Sequence, residues 1–292
     1  MFYLTGSSGF VGSSFLNLFN NEITYVSSRG KESKIDGAEV VVHLAGKSHD
    51  LKNTSASQEY YEVNTELTKE VFDAFLASEA KVFITLSSVK AVADQVEGEL
   101  TEQHHPNPIT SYGMSKLLAE QYIFSKEISK GKRVYVLRPC MIHGPGNKGN
   151  LNLLYNIVSK NIPWPLGAFE NKRSFCSIYN LLFIFKELIE REDIPSGIYN
   201  VADDEPLSTN DVIGLIAQSQ NRSPKIWKVS EKFIEGIASI GDKLHLPLNT
   251  ERLQKLTSSY VVSNAKIKAA IGKPLPVSSI DGLLKTFKSF NN

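Results

Sequence analysis

Only two cysteines, Cys140 and Cys176, occur in 292 residues. That number cannot build a disulfide framework, and no Cys/His cluster has the spacing of a zinc site. Long apolar runs are missing too. The longest strongly apolar stretch, Leu181 to Phe185, falls far short of the roughly 20 residues a membrane span needs. The N-terminus has no basic segment followed by an apolar one, so no secretory leader is expected. Charge of one sign is absent: 32 Lys+Arg stand against 31 Asp+Glu, a net +1. Such a balance gives no electrostatic footprint for nucleic acid or for an anionic membrane as the main partner. There is no internal repeat. A cytoplasmic globular protein is the expectation that remains, with 41% apolar residues to build a core.

What is present is an alternation of strands and helices. Met1 to Leu4 is apolar and β-prone, and the apolar positions Phe15, Leu16, Leu18 and Phe19 then fall at helical spacing. Ile23 to Val26, Glu39 to Leu44, Lys81 to Leu86 and Val134 to Leu137 read as strands, several of them continuously apolar. Asn64 to Leu76 and Ser111 to Ser129 read as helices. Continuously apolar strands alternating with helices predict a parallel sheet covered on both faces. After about Gly149 the pattern loosens, with helices near Leu181–Ile189, Asn210–Gln218 and Ile280–Phe287. The expected architecture is α/β: a Rossmann-type doubly wound domain over 1–149 and a smaller mixed α/β part over 150–292. The pattern is compatible with return segments from the second part to the first.

Gly6-x-x-Gly9-x-x-Gly12 lies directly between the first strand and the first helix. A glycine loop in that context suits a dinucleotide. The first glycine permits a tight turn, the second a close backbone approach to pyrophosphate, and the third close helix–strand packing. Ser8, Phe10 and Val11 belong to the same loop. The adenosine ribose is expected about 20 residues on, where the chain reads Val26-Ser27-Ser28-Arg29 with no carboxylate. Arg29 among hydroxyls leans toward NADP over NAD.

Tyr112 and Lys116 are spaced i,i+4 at the start of a helix and share one face. A nearby ammonium is expected to lower the tyrosine pKa and make it an acid/base for carbonyl/alcohol interconversion. Ser87 and Ser88 end the Lys81–Leu86 strand, at the edge of a parallel sheet where ligands bind. A hydroxyl there can hydrogen-bond the substrate oxygen.

With these pieces in order, the sequence resembles the extended short-chain dehydrogenase/reductase family, in its nucleotide-sugar epimerase, dehydratase and reductase branch. The matching segments run nearly the whole chain. They include Gly6 to Gly12, His43-Leu44-Ala45-Gly46, Leu86-Ser87-Ser88, Tyr112 to Lys116, His143-Gly144-Pro145-Gly146, Arg173-Ser174-Phe175 and Tyr199 to Pro206. The resemblance implies Ser88, Tyr112 and Lys116 as catalytic residues. It also implies Leu44, Ala45, Gly46, Ser87, Pro139 and Met141 beside the cofactor. Arg173, Asn150 and Arg252 are implied as substrate contacts, with Arg173 on a nucleotide-sugar phosphate. A homodimer through the Tyr112 helix, with Leu117, Leu118, Tyr122, Ile123 and Phe124, follows from the same resemblance. No metal is expected.

Two departures narrow this. The short Arg29–Glu39 connection leaves the sheet one strand short near the adenine. The dehydratases' Asp-Glu pair is replaced by Val89-Lys90, so a sugar dehydratase is not expected. The expected activity is oxidoreduction at hexose C4 of a UDP-sugar. A UDP-4-keto-6-deoxy-N-acetylhexosamine 4-reductase of surface polysaccharide synthesis is preferred. The alternative is a UDP-hexose or UDP-N-acetylhexosamine 4-epimerase retaining NAD, and a remote one is a non-catalytic dinucleotide-binding regulator.

Overall fold

A computed structural model describes residues 1–20, 23–27, 35, 37–48, 57–147, 149–244 and 249–291. The first half begins with β1 (Phe2–Thr5), α1 (Phe10–Leu18), β2 (Ile23–Ser27) and β3 (Val40–His43). A short turn, α2 (Ser57–Tyr60), runs through a π-helical segment, Tyr61–Glu66, into α3 (Leu67–Ala77). Next come β4 (Val82–Leu86), β5 (Glu99–Leu100), α4 (Ser111–Ser125), β6 (Arg133–Pro139) and β7 (Met141–His143). The second half holds α5 (Asn150–Ser159), β8 (Phe175–Ser177), α6 (Ile178–Glu190), β9 (Gly197–Val201) and α7 (Thr209–Ser219). It ends with α8 (Glu231–Leu244), α9 (Thr250–Thr257), β10 (Val261–Val262), α10 (Ala265–Ile271) and α11 (Ser279–Lys288).

Six strands form one parallel sheet in the order β2-β1-β3-β4-β6-β9. Alternate residues of each strand enter different cores, because strand side chains point to opposite faces. Leu4, Val42, Ile84 and Leu137 pack with Phe15 and Phe185 on one face. Tyr3, Val41, Phe83 and Val136 pack with Phe72 and Phe75 on the other. With both faces covered, neither parity needs polar residues, which is why these strands read as continuous apolar runs.

Among the described residues β2 is the edge strand, consistent with the shortened sheet expected from the brief connection after Arg29. Arg29 itself lies outside the described residues. The far edge is β9, which the second half returns to the first sheet, pairing Tyr135 with Gly197 through Pro139 with Val201. Two small parallel pairs, β7–β8 and β5–β10, also join the halves. The Tyr112 helix is shorter than its periodicity suggested, ending at Ser125. Helices α5, α8, α9 and α10 went unread because their apolar positions are few or are not all buried.

The chain reverses direction across the sheet between β1 and β3, whose following segments lead to opposite sides. Loops at the C-terminal ends of β1, β3, β4 and β6 therefore lie side by side. That edge is where open α/β sheets bind ligands.

Candidate functional site

The glycine loop at the end of β1 is held by close backbone packing. Gly6 has φ +72°, and a Cβ there would lie 2.4 Å from the Leu44–Ala45 backbone. A Cβ on Gly12 would sit 2.0 Å from the Gly6 carbonyl oxygen. Any side chain at either position would push α1 off the sheet. Gly9 meets no such obstacle, since its Cβ would stand 3.4 Å from the nearest atom. It caps α1 without any side-chain hydrogen bond, leaving the first N–H groups of the helix for an anion. Ser8 and Gly9 are exposed there, with Phe10 and Val11 partly buried beneath.

The loop after β3 is tied to its neighbours by a polar chain. The buried His43 contacts Thr5 Oγ1 through Nδ1 at 2.7 Å and Thr68 Oγ1 through Nε2 at 3.0 Å. Burial, reinforced by the Lys116 charge, drives its pKa down to about 3. His43 is a neutral structural residue. Thr5 Oγ1 also accepts from the Ala45 amide. Asn64, in the π-helical segment, accepts from the Lys47 amide at 2.8 Å and donates to Ser115 Oγ at 3.0 Å. The extra residue in that wide turn presents Asn64 to both partners, and π-turns recur at functional sites. Gly46 passes so close to Lys116 that a Cβ would stand 3.1 Å from Nζ.

At the end of β4, Ser88 and Tyr112 are hydrogen-bonded through their side chains. Their approach depends on a residue not singled out in the sequence. Gly113 lies against the Lys90 carbonyl, where a Cβ would come within 2.3 Å. Thr110 caps α4 by accepting from the Gly113 amide, so the first turn of α4 abuts the turn that Ser88 begins. Lys116, one turn beyond Tyr112, donates to the Leu86 carbonyl oxygen at 2.9 Å. Among the described residues Ser87 Oγ is buried without a hydrogen-bond partner, lining a small cavity with Asn64, Lys116 and Glu120.

The electrostatics differ from expectation at one point. Burial raises the Tyr112 pKa, the Ser88 hydrogen bond opposes the rise, and Tyr60, edge-on at 6.0 Å between ring centroids, adds to it. The Lys116 ammonium donates to the Leu86 carbonyl. Burial lowers the Lys116 pKa to about 8, and Glu120 holds it up. Between about pH 8 and its ordinary value of 10.5, the unfolded chain retains a proton on Lys116 that the folded chain has released. Stability from this group must therefore rise with pH across that window. Urea titrations of the protein and of Lys116→Met should show their stability difference moving in favour of the wild type from pH 8 to 10. A difference independent of pH would mean that Lys116 is not depressed.

Pro139 ends β6, and Met141 opens β7 beyond the buried Cys140. Burial pushes the Cys140 thiol up, so it is no activated nucleophile. His143 is buried as well, against Thr286 Oγ1 at 2.9 Å and Asp203. Asp203 accepts from the Ser177 amide and from Asn180. This cluster locks α11 and β8 to the end of the sheet.

On the second half, half-buried Arg173 donates to the Lys255 carbonyl oxygen at 2.8 Å. Its backbone bridges Tyr260 and Leu207. Tyr260 in turn donates to the carbonyls of Val89 and Ala93, in the turn after Ser88. Arg173 is thus brought to the Ser88 turn. Lys90 lies over the Tyr260 ring with Nζ 4.4 Å from the centroid. Burial lowers its pKa; Asp94 opposes this, while Arg173 and Lys255 add to it. These three cations face the same region. The Lys90 contribution went unread, its only sequence signal being a lysine two residues after Ser88. Arg252 is exposed on α9, and the Asn150 backbone opens α5.

The sequence profile of the NAD dependent epimerase/dehydratase family matches residues 2–202. A UDP-glucose 4-epimerase from Vibrio cholerae is 32% identical, over 98% of this chain and 94% of that protein. The N-acetyl-alpha-D-glucosaminyl-diphospho-ditrans,octacis-undecaprenol 4-epimerase of Escherichia coli O157:H7 is 29% identical, over 75% of this chain and 72% of its own length. Among solved structures, MoeE5 in complex with UDP-glucose and NAD superposes with TM-score 0.76 at 17% identity. That match covers 99% of this chain and 98% of that one, and it is a likeness of fold. Among the described residues no helix is long and apolar enough to cross a membrane.

Proposed function

The chain belongs to the NAD-dependent epimerase/dehydratase family and is an enzyme; from that premise we propose that it inverts C4 of a UDP-hexose or UDP-N-acetylhexosamine while retaining NAD. The observation that carries the reading is the Ser88–Tyr112 hydrogen bond beside the buried Lys116. No carboxylate stands at positions 89 or 90. The nearest one downstream, Asp94, accepts from the Ile109 and Thr110 amides and is engaged at the start of α4. Such a set can move a proton on and off one hydroxyl but lacks an acid to expel a second.

The preference for a 4-reductase using NADP gives way here. It rested on the absence of a ribose carboxylate over Ser27–Arg29, of which Ser28 and Arg29 lie outside the described residues, whereas the full-length relative is a 4-epimerase and the family description names NAD. The residues present fit a dinucleotide: Gly12 has no room for a side chain, and Gly9 leaves the α1 amides uncapped. Gly6 to Gly12 would hold its pyrophosphate, Leu44 to Gly46 and Ser87 would flank it, and Pro139 and Met141 would border the nicotinamide. When bound, the cofactor supplies the hydride acceptor and donor. Tyr112 takes and returns the proton of the sugar C4 hydroxyl, with Ser88 hydrogen-bonded to the same oxygen. Lys116, one helical turn beyond Tyr112 with its ammonium on the Leu86 carbonyl, adds a positive charge to the site. Arg173 and Lys90 offset the diphosphate charge, with Arg252 on the outer side and Asn150 nearby. Leu118 and Phe124, exposed on α4, would pack against a second copy.

The test is incubation with UDP-glucose and with UDP-N-acetylglucosamine, without added cofactor. We expect each to equilibrate with its C4 epimer and no net change in nicotinamide absorbance. No inversion, together with stoichiometric NADPH oxidation by a UDP-4-keto-6-deoxy-N-acetylhexosamine, would establish the reductase instead. Dinucleotide binding with neither activity would leave a non-catalytic binder.

A further inference from the structure

Tyr260 is the residue through which the second half of the chain meets the turn that Ser88 begins. Its backbone runs alongside Arg173. The Tyr260 amide donates to the Lys172 carbonyl at 2.8 Å, and its carbonyl accepts from the Ser174 amide at 3.0 Å. Arg173 is therefore bracketed by two bonds to one residue. Its guanidinium is fixed from the same segment, donating to the Lys255 carbonyl in the last turn of α9. The Tyr260 side chain reaches the first half instead. Its buried phenol donates to the Ala93 carbonyl at 2.7 Å, with the Val89 carbonyl at 3.3 Å as a longer branch. A phenol has one proton to give, so Ala93 is the principal acceptor.

The turn it holds carries Ser88. Ser88 caps a single 3-10 turn, Val89–Ala91, its Oγ accepting from the Lys90 amide. The Ser88 carbonyl accepts from the Ala91 amide, and the Val89 carbonyl from the amides of Val92 and Ala93. So short a turn takes its position from what it touches. Gly113 backs it on the α4 side, and the Tyr260 hydroxyl meets its far end. The Tyr260 ring also lies under Lys90, whose ammonium donates to the Asp94 carbonyl at 2.8 Å. Burial raises the Tyr260 pKa, so the hydroxyl keeps its proton and stays a donor. Filling this space needs only a phenyl ring. The hydroxyl is what ties the two halves.

We propose that Tyr260 is a positioning residue that couples the Arg173 side of the site to Ser88, so that diphosphate binding and alignment of Ser88 with Tyr112 depend on each other. The inference rests on the epimerase reading above. A UDP-sugar must place its C4 hydroxyl at Ser88 and Tyr112 while its diphosphate meets Arg173. The ligand fixes the span between those two ends, and the protein must match it. Tyr260 sets that match by bonding Arg173 through its backbone and the Ser88 turn through its side chain. Misplacement of a reacting group by about 1 Å is enough to slow a reaction substantially.

The experiment is Tyr260→Phe in the full chain, which removes the hydroxyl and keeps the ring and the backbone bonds. We expect kcat for UDP-glucose to fall about tenfold while the Kd for UDP stays within about threefold of wild type. The pH profile should move to higher pH, because a displaced Ser88 no longer holds the Tyr112 pKa down. In a Ser88→Ala background the same change should lower kcat by less than about twofold, since its effect passes through Ser88. A residue that merely stabilised the fold would give additive losses in that cycle and no shift of the profile. Either result would overturn the proposal, as would turnover by Tyr260→Phe within about twofold of wild type. Amide exchange supplies a readout independent of the reaction. Residues 88–93 should exchange faster in Tyr260→Phe, and UDP should slow their exchange in wild type only. Failure of the wild type to invert C4 would refute the epimerase reading. Unchanged exchange over 88–93 would refute the coupling, whichever reaction the enzyme performs.

Discussion

Tyr112→Phe is expected to lower kcat by about a thousandfold, within the range a positioned acid/base contributes, while NAD binding and thermal unfolding remain near wild type. Only the phenolic oxygen is lost. The ring that meets Tyr60 edge-on is retained, and α4 keeps its Thr110 cap and its Gly113 contact with Lys90. The loss should fall on kcat with little change in KM, because the oxygen acts on the proton that moves rather than on the diphosphate that binds. Ser88→Ala should show a smaller loss and a shift of the pH profile to higher pH, since the hydroxyl holding the Tyr112 pKa down would be gone. The assay is steady-state epimerisation of a UDP-hexose alongside dinucleotide titration. Turnover by Tyr112→Phe within tenfold of wild type would remove Tyr112 from the mechanism.

The second large effect is on stability. Arg138 and Glu120 form a bidentate ion pair, with the Arg138 Nε donating to Glu120 Oε1 at 2.9 Å. Both side chains are almost wholly buried, at 4% and 3% exposure. Removing one partner leaves an uncompensated charge in the interior, so Arg138→Ala should cost about 3–5 kcal/mol. The double change Arg138→Leu/Glu120→Leu should recover most of that loss, because apolar residues there need no partner. Urea unfolding of the three proteins measures both. If the double variant were no more stable than Arg138→Ala, lost packing rather than an orphaned charge would be the cause. The pair also reaches the site through Glu120, which supports the Lys116 charge. Glu120→Gln should lower the Lys116 pKa further.

Much of the first half is legible in order along the chain. The buried strands betray themselves by unbroken apolar runs, as in Val40-Val41-Val42, because both faces of the sheet are covered. The glycine loop is legible because two of its three glycines answer to backbone contacts under 3 Å, a constraint written in residue type. Tyr112, Lys116 and Ser88 are legible by spacing and by position at a strand end. The helices of the second half are not. On α8 the apolar positions do not mark the core-facing side, since part of them faces water. The 3.6-residue period reports that a face is apolar and is silent on what covers it.

Residue order alone therefore determined a parallel α/β sheet, its ligand-binding edge, the glycine loop and the residue types of an acid/base pair beside a lysine. The tertiary structure decided how those residues affect one another. It joined Ser88 to Tyr112 through the bare Gly113, and it gave the Lys116 ammonium the Leu86 carbonyl as a partner. It buried Glu120 with Arg138, and it left apolar residues of α8 uncovered. Each of these depends on distance and on exclusion of water between segments far apart in the chain. A charge acts at strength only on neighbours in a shared low-dielectric space, and that space is formed by packing.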